Sequence, residues 1–209
     1  LPLPKAGITD MKRYFPQGQK IVAGKVEDAL WEMAQKEKWQ MENVLEDETF
    51  LLENARLTAE GAVFKAMEGK KKALCYAKCM VIGYGRIGKY LTQMLRGMGS
   101  RVTVAARREK ARMEAGKESI AIHEIHSKIA DMDFVFNTVP FPVLDEACLN
   151  NVCPNTWIME LASAPYGVDM AAAERLGVSV HIEGGLPGRY APADAARVWL
   201  DYIERSERQ

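Results

Sequence analysis

The stretch "MVIGYGRIGKYLTQML", residues 80–95, places three spaced glycines between an apolar segment and an amphipathic one. The apolar residues before Gly83 predict a buried strand. From Ile87 onward, apolar residues recur at the spacing of a helix, at Ile87, Leu91, Met94 and Leu95. The pattern is G-x-G-x-x-G, and its position between a strand and a helix is typical of a phosphate-binding turn.

Each glycine of this turn has its own physical role. Gly83 permits the tight turn, Gly85 lets the main chain approach a pyrophosphate, and Gly88 lets the helix lie close on the strand. The helix N-terminus then offers N–H groups and a positive dipole end to phosphates. We therefore predict dinucleotide contacts from Gly83, Tyr84, Gly85, Arg86, Ile87 and Gly88. The alternative is a structural domain of the same type that binds no ligand.

Residues 78–209 alternate between apolar segments and helical patterns, which predicts a parallel sheet with helices on both faces. After the first strand, further strands are expected at 101–106, 120–122, 156–163 and 178–185, and residues 133–140 are expected to form a strand and its exit loop. Helices are expected at 109–115, 124–130, 169–176 and 192–204. This order predicts an α/β fold, a doubly wound Rossmann domain.

Residues 1–77 are expected to form a partial second α/β domain with a linker helix. "IVAG" predicts a strand, "VEDALWEMAQKEKW" a helix, and "MENVLE" a strand or a turn, before a helical region that extends to Met67. One strand and its crossover cannot bury their own apolar faces. We expect the remaining strands to be missing from the chain as given, or to come from another copy in a homo-oligomer.

Composition and charge limit the possible partners. Lys+Arg and Asp+Glu are both 28, so no net field favours nucleic acid or an anionic membrane. No apolar run reaches the length of a membrane span, and we expect a cytoplasmic location. The four cysteines lack C-x2-C spacing, and His123 and His126 have no third ligand nearby, so we expect reduced thiols and no metal.

The second predicted strand ends without an acid. In an NAD site an Asp or Glu at this point accepts hydrogen bonds from the adenosine ribose, and it would repel a 2′-phosphate. Here Ala105 and Ala106 are followed directly by Arg107 and Arg108. A guanidinium can bind the phosphate through two hydrogen bonds, so NADP is favoured over NAD. The alternative for one of the two arginines is a solvated charge at the start of a helix.

Several segments together resemble the family of the NADP-binding subunit of dipicolinate synthase. They are "NARLTAEGA" (54–62), "VIGYGRIG" (81–88), "VTVAARR" (102–108), "NTVP" (137–140), "ELASAPYGVD" (160–169) and "GGLPGRYAP" (184–192). The resemblance implies a two-domain protein that oxidises dihydrodipicolinate to dipicolinate, a pyridine dicarboxylate, with NADP. It also implies a partner, the second and flavoprotein-like subunit of dipicolinate synthase, and a role in the mother-cell cytoplasm during sporulation.

The chain departs from this family in two respects. Family members carry a further N-terminal stretch of a nucleotide-binding-like domain, so the chain is expected to be truncated. Relatives often have Pro where Leu57 stands, and other residues often occupy the position of Arg189. Arg189 is therefore a weaker inherited site than the glycines beside it.

Ligands of an open α/β sheet lie beyond the carboxyl ends of its strands. We expect Asn137, Thr138 and Pro140 to flank the nicotinamide half of the cofactor. The substrate cleft is expected to be formed by Ala162, Ser163, Gly185, Leu186, Pro187, Gly188 and Arg189. The alternative for this last loop is that its glycines serve chain reversal alone.

Thr58 is predicted to cap a helix, with Glu60 in its first turn. The N–H groups that follow could bind a substrate carboxylate, or the cap could be purely structural. Removing a hydride from a dihydropyridine also requires a base to take a proton. The catalytic residue is not identified by the sequence; the candidates by position are Glu60, Glu160 and Glu183, each of which could equally be a structural or solvated acid.

Two other functions are compatible with the sequence. A 2-hydroxyacid dehydrogenase shares this plan, but such enzymes usually place an Arg after the fifth strand and a His after the sixth. "SAPYGVD" contains no Arg, and no His occurs from Glu183 to Gln209. The second alternative is a non-catalytic assembly partner that binds NADP and leaves the chemistry to another protein.

Overall fold

The computed structural model describes residues 14–24, 26 and 28–208. In chain order its principal helices and strands are β1 (Lys20–Ala23), α1 (Asp28–Lys36), β2 (Gln40–Asn43), α2 (Glu48–Lys70), β3 (Lys78–Ile82), α3 (Arg86–Gly97), β4 (Arg101–Ala105), α4 (Glu109–Ala115), β5 (Ser119–Ile120), α5 (Ile125–Lys128), β6 (Phe134–Asn137), α6 (Glu146–Leu149), β7 (Trp157–Glu160), α7 (Met170–Leu176), β8 (Val180–Ile182), α8 (Leu186–Tyr190) and α9 (Pro192–Glu207). In the described part of the chain, no helix has both the length and the hydrophobicity needed to cross a membrane.

The six strands from β3 to β8 form one parallel sheet in the order β5-β4-β3-β6-β7-β8. This is the Rossmann order, in which the chain first builds outward from the central strand and then returns to its other side. The predicted doubly wound α/β fold is confirmed. Because the order reverses between β3 and β6, a crevice for ligands is expected above the carboxyl ends of these two strands.

Apolar clusters cover both faces of this sheet. Strand β3 has residues on each face, and Cys79, Met80, Val81 and Ile82 are all 0% exposed. A strand buried on both faces needs a continuous apolar run, which explains "CMVI". Helix α2 contributes Ala59, Ala62 and Ala66, also 0% exposed, and their small side chains allow close packing.

The chain divides into two compact units at other positions than predicted. One unit is Leu52–Ala196, and the other comprises the residues up to Leu51 together with those from Arg197 onward. The predicted boundary was between residues 77 and 78. The difference arises because most of α2 packs into the core of the Rossmann unit, while the last part of α9 joins the N-terminal unit.

The N-terminal unit contains a two-stranded parallel sheet, with β1 paired to β2. Ile21, Ala34 and Trp39 form one small buried cluster. A second cluster joins Val44 and Phe50 to Tyr202 of α9, where the Phe50 and Trp199 rings meet edge to face at 5.0 Å. The segment predicted as a strand or a turn is a strand followed by a 3-10 turn, Val44–Glu46.

The predicted helix cap at Thr58 is wrong. Helix α2 begins at Glu48, and the Asp47 carboxylate accepts a hydrogen bond from the Phe50 N–H at 2.6 Å. Thr58 therefore lies inside the helix, where its hydroxyl donates to the Asn54 carbonyl at 2.7 Å. The N–H groups after Thr58 belong to the helix interior, so they cannot form the expected carboxylate site.

Candidate functional site

Two glycines of the phosphate-binding turn are required by protein packing. Gly83 has a φ of +96°, and a Cβ there would lie 2.4 Å from the Thr138 Oγ1. At Gly88, a Cβ would lie 2.2 Å from the Gly83 carbonyl oxygen. The loop after β6 can approach the turn at Gly83, and helix α3 can approach it at Gly88, only because these two side chains are missing.

Gly85 differs from these two glycines because its missing Cβ faces open space. A Cβ there would meet no atom of the described residues within 4 Å. Gly85 is exposed and stands at the N-cap of α3, without a side-chain hydrogen bond to the helix. A main chain without a Cβ at the N-terminus of a helix is the surface that a pyrophosphate needs, so the geometry fits a dinucleotide.

The other predicted residues of the turn surround this surface. Arg86 is exposed in the first turn of α3, and Ile87 packs against the core. Tyr84 is half-buried, with the Lys89 Nζ 5.6 Å from the centre of its ring. Backbone atoms of these residues are therefore better placed than most of their side chains to contact phosphates.

The end of β4 presents two exposed arginines and no acid. Ala105 and Ala106 are buried, whereas Arg107 and Arg108 are exposed, and their guanidinium groups have no hydrogen-bond or ion-pair partner within the described chain. The Arg112 Nη1 donates to the carbonyls of Ala106 at 3.0 Å and Arg107 at 2.9 Å, which braces the turn. Two uncommitted guanidinium groups in this position fit a 2′-phosphate.

The loop after β6 is joined to the glycine turn. Both the N–H and the hydroxyl of Thr138 donate to the Ile82 carbonyl, each at 2.9 Å. Pro140 is exposed at the tip of the loop. Asn137 is 0% exposed, and its amide donates to Val139 and Glu160 inside the protein. The expected cofactor contact cannot be made by the Asn137 side chain, because that side chain is turned inward and already bonded.

Glu160, a candidate base, lies at the end of β7 and is also 0% exposed. Its Oε1 accepts from the Ala162 N–H at 2.9 Å, and its Oε2 accepts from the Gly167 N–H at 3.0 Å. The Asn137 amide donates to both oxygens at 2.8 Å. These bonds make Glu160 a structural acid, and a substrate could not reach it. Ala162 is half-buried and Ser163 is exposed beside it.

Glu183 and Arg189 are predicted separately, as a candidate base and as part of the substrate cleft, but they form an ion pair. The Arg189 Nη1 donates to the Glu183 Oε2 at 2.8 Å and to the Gly184 carbonyl at 3.2 Å. The Glu183 side chain is 7% exposed and that of Arg189 is 50% exposed. The pair therefore fixes the Arg189 side chain and leaves its other N–H groups toward solvent.

The glycine-rich loop after β8 combines core and surface residues. Gly185 has a φ of +64°, and Gly188 is exposed in the short helix that follows. Leu186 and Pro187 are buried, and Leu186 packs against Gly61 of α2. The substrate contacts predicted for Leu186 and Pro187 cannot involve their side chains, which belong to the core.

The third candidate base, Glu60, lies on the surface of α2. Its side chain is 52% exposed, with the Arg56 Nε 3.8 Å from its Oε1. Such an exposed pair one turn apart contributes little to stability.

Burial raises the pKa of the Cys79 thiol to about 11, as expected for an unreactive core cysteine.

The geometry agrees with a comparison to known protein families. Residues 50–162 match the family described as D-isomer specific 2-hydroxyacid dehydrogenase, NAD binding domain. The chain belongs to this family. A nicotinamide dinucleotide is therefore its cofactor class, and the matched residues include the glycine turn, both arginines after β4 and the loop after β6.

Relatives of known name support the resemblance seen in the sequence. The chain is 28% identical over 176 residues to a dipicolinate synthase subunit of Bacillus subtilis (strain 168), an alignment that covers 83% of the chain and 59% of that protein. The crystal structure of a dipicolinate synthase subunit from Bacillus halodurans superposes with a TM-score of 0.85 at 27% identity, covering 94% of this chain and 68% of the other. The crystal structure of dipicolinate synthase from Bacillus subtilis gives 0.84 at 26% identity, covering 96% and 68%.

Proposed function

We propose that the chain is part of the NADP-binding subunit of a dipicolinate synthase. The observation that carries the proposal is the similarity to dipicolinate synthase subunits over most of the chain. The chain spans 59% of the length of the curated relative. The complete reaction is accordingly proposed for the whole protein, in the mother-cell cytoplasm of a sporulating cell.

The proposed cofactor is NADP rather than NAD. Gly85 leaves room for the pyrophosphate, and Arg107 and Arg108 provide the charge for the 2′-phosphate. When bound, the cofactor supplies the acceptor for a hydride. The chain contributes the binding surface, the orientation of the two halves of the cofactor, and the position of the substrate.

The proposed substrate is a cyclic dicarboxylate, dihydrodipicolinate, and the proposed partner is the flavoprotein-like second subunit of the synthase. Arg189, fixed by Glu183, is the side chain best placed to bind one carboxylate. The exposed Ser163 and Gly188 complete the same end of the sheet. Glu160 is removed from the candidate bases because it has no exposed oxygen.

The family match is also compatible with a second function, that of a 2-hydroxyacid dehydrogenase. The matched domain binds the cofactor, so the match does not select the substrate. The loop after β7 contains no arginine, although such enzymes usually have one there. The non-catalytic alternative, a partner that only binds NADP, makes the same cofactor contacts and differs in having no activity of its own.

One assay distinguishes these functions. The protein, alone and together with the co-expressed flavoprotein-like subunit, is given dihydrodipicolinate and NADP, and both NADPH and dipicolinate are measured. We expect the two products to form in equal amounts. Oxidation of simple 2-hydroxy acids instead would support the dehydrogenase, and NADP binding without turnover in either preparation would support the assembly partner.

A further inference from the structure

Asn137 and Glu160 are register partners on the neighbouring strands β6 and β7, and both side chains are completely buried. The Asn137 amide lies 2.8 Å from each Glu160 oxygen. We propose that Glu160 is a positioning residue that holds the loop after β6 where the nicotinamide half of the cofactor requires it. This inference rests on the proposed function, because it assumes that a dinucleotide occupies the crevice.

Among the described residues, every group that forms a hydrogen bond with the Glu160 carboxylate is an N–H donor. One oxygen accepts from Ala162 and the other from Gly167, while Asn137 donates to both. A glutamine at this position would keep the shape but would have to direct its NH2 group at one of these N–H donors. Either orientation leaves buried donors facing each other, which is unfavourable. A carboxylate is therefore the side chain that this position requires.

The carboxylate acts on the crevice through the loop after β6. The Asn137 Oδ1 accepts from the Val139 N–H at 3.1 Å, and its amide donates to the Val139 carbonyl at 3.0 Å. Thr138, between them, is bonded to the end of β3. In a Rossmann sheet the dinucleotide crosses at this point, and its second half lies over β6 and the strands beyond it. Loss of the hydrogen bonds to Glu160 would therefore displace the loop after β6, which lies on the nicotinamide side of the crevice.

Gly167 shows how closely a third segment approaches the same bonds. A Cβ on Gly167 would lie 2.4 Å from the Asn137 Nδ2 and 2.5 Å from the Val139 carbonyl oxygen. The segment after β7 is therefore packed directly on the loop after β6. A substitution at Gly167 would disturb the loop without changing the carboxylate.

The test compares two ligands in calorimetric titrations of wild type and Glu160→Gln. One ligand is the dinucleotide that the wild type binds more tightly, and the other is its adenosine half, adenosine 2′,5′-bisphosphate for NADP or AMP for NAD. We expect Glu160→Gln to weaken the dinucleotide at least tenfold (about 1.4 kcal/mol) and to leave the adenosine half unchanged. Glu174→Gln, an exposed change of the same type on α7, should alter neither affinity.

Gly167→Ala provides an independent variant. It should give the same result as Glu160→Gln, a weaker dinucleotide and an unchanged adenosine half. If Glu160→Gln does not fold, Gly167→Ala tests whether the loop that Glu160 holds positions the nicotinamide half, and an equal loss for both ligands in this variant would overturn the positioning role.

Equal losses for both ligands, or no loss for either, would overturn the positioning role while leaving the proposed function intact. A wild-type protein that binds no dinucleotide would overturn the proposed function, and this inference with it.

Discussion

The two sides of the crevice are built by opposite means. On the side of β3 and β4, the surface is defined by missing side chains, as at Gly85, and by Arg107 and Arg108, whose guanidinium groups have no partner among the residues that the structure describes. On the side of β6, β7 and β8, polar side chains are bonded to one another, as in Asn137–Glu160 and Glu183–Arg189. The exposed main chain and the arginines of the first side can bind an anion directly. On the second side, the Asn137–Glu160 bonds are buried, and the Glu183–Arg189 ion pair leaves half of the Arg189 side chain exposed.

The largest expected effect is that of Gly88→Ala on the first side. The new Cβ would lie 2.2 Å from the Gly83 carbonyl oxygen, which is backbone and cannot rotate away. We expect the free energy of unfolding to fall by about 2 kcal/mol or more, as for other overpacked sites, and dinucleotide binding to be lost. Urea denaturation and calorimetry measure the two effects. A variant with wild-type stability would show that the turn is less tightly packed than the structure indicates.

Gly85→Ala should separate binding from folding on the same side. Its Cβ enters open space, so we expect the free energy of unfolding to change by less than about 0.5 kcal/mol. Dinucleotide binding should weaken at least tenfold, about 1.4 kcal/mol, because the methyl group takes the space of the pyrophosphate. Unfolding of the free protein, or unchanged affinity, would mean that Gly85 serves the backbone alone.

Arg107→Ala tests the charge on the first side. We expect NADPH binding to weaken about tenfold while NADH binding stays nearly unchanged, since the lost guanidinium faces the 2′-phosphate in this account. Arg108→Ala is the matched comparison, and it identifies which of the two side chains holds the phosphate. An equal loss for NADPH and NADH would instead assign Arg107 to the fold.

The smallest effect is expected on the second side. Arg189→Ala should weaken dipicolinate binding about fivefold in the presence of NADP, since a half-exposed charge is screened by solvent. Glu183→Gln should produce a smaller loss, because the guanidinium remains but its anchor is weaker. We expect NADP itself to raise the affinity for dipicolinate. Calorimetric titrations with dipicolinate, with and without NADP, measure these affinities for the wild type and both variants. Tighter binding of simple 2-hydroxy acids than of dipicolinate would contradict the substrate assignment.

Sequence reasoning succeeded on the first side because its signals are local. The glycine spacing, the apolar run before it and the missing acid after β4 all lie within short stretches, and the sheet order followed from their alternation. The central bond of the second side joins Asn137 and Glu160, which are 23 positions apart in the chain. No periodicity reveals such a pair. Thr58 was misassigned for a different reason: Asp47, a better cap, starts the helix earlier.

We propose that the crevice between β3 and β6 binds NADP in preference to NAD. The most direct measurement is a calorimetric titration of the wild-type protein with NADPH and, separately, with NADH at the same salt concentration. We expect NADPH to bind at least tenfold more tightly, a difference of about 1.4 kcal/mol, because Arg107 and Arg108 provide the charge for the 2′-phosphate. Equal affinities, or tighter binding of NADH, would contradict it.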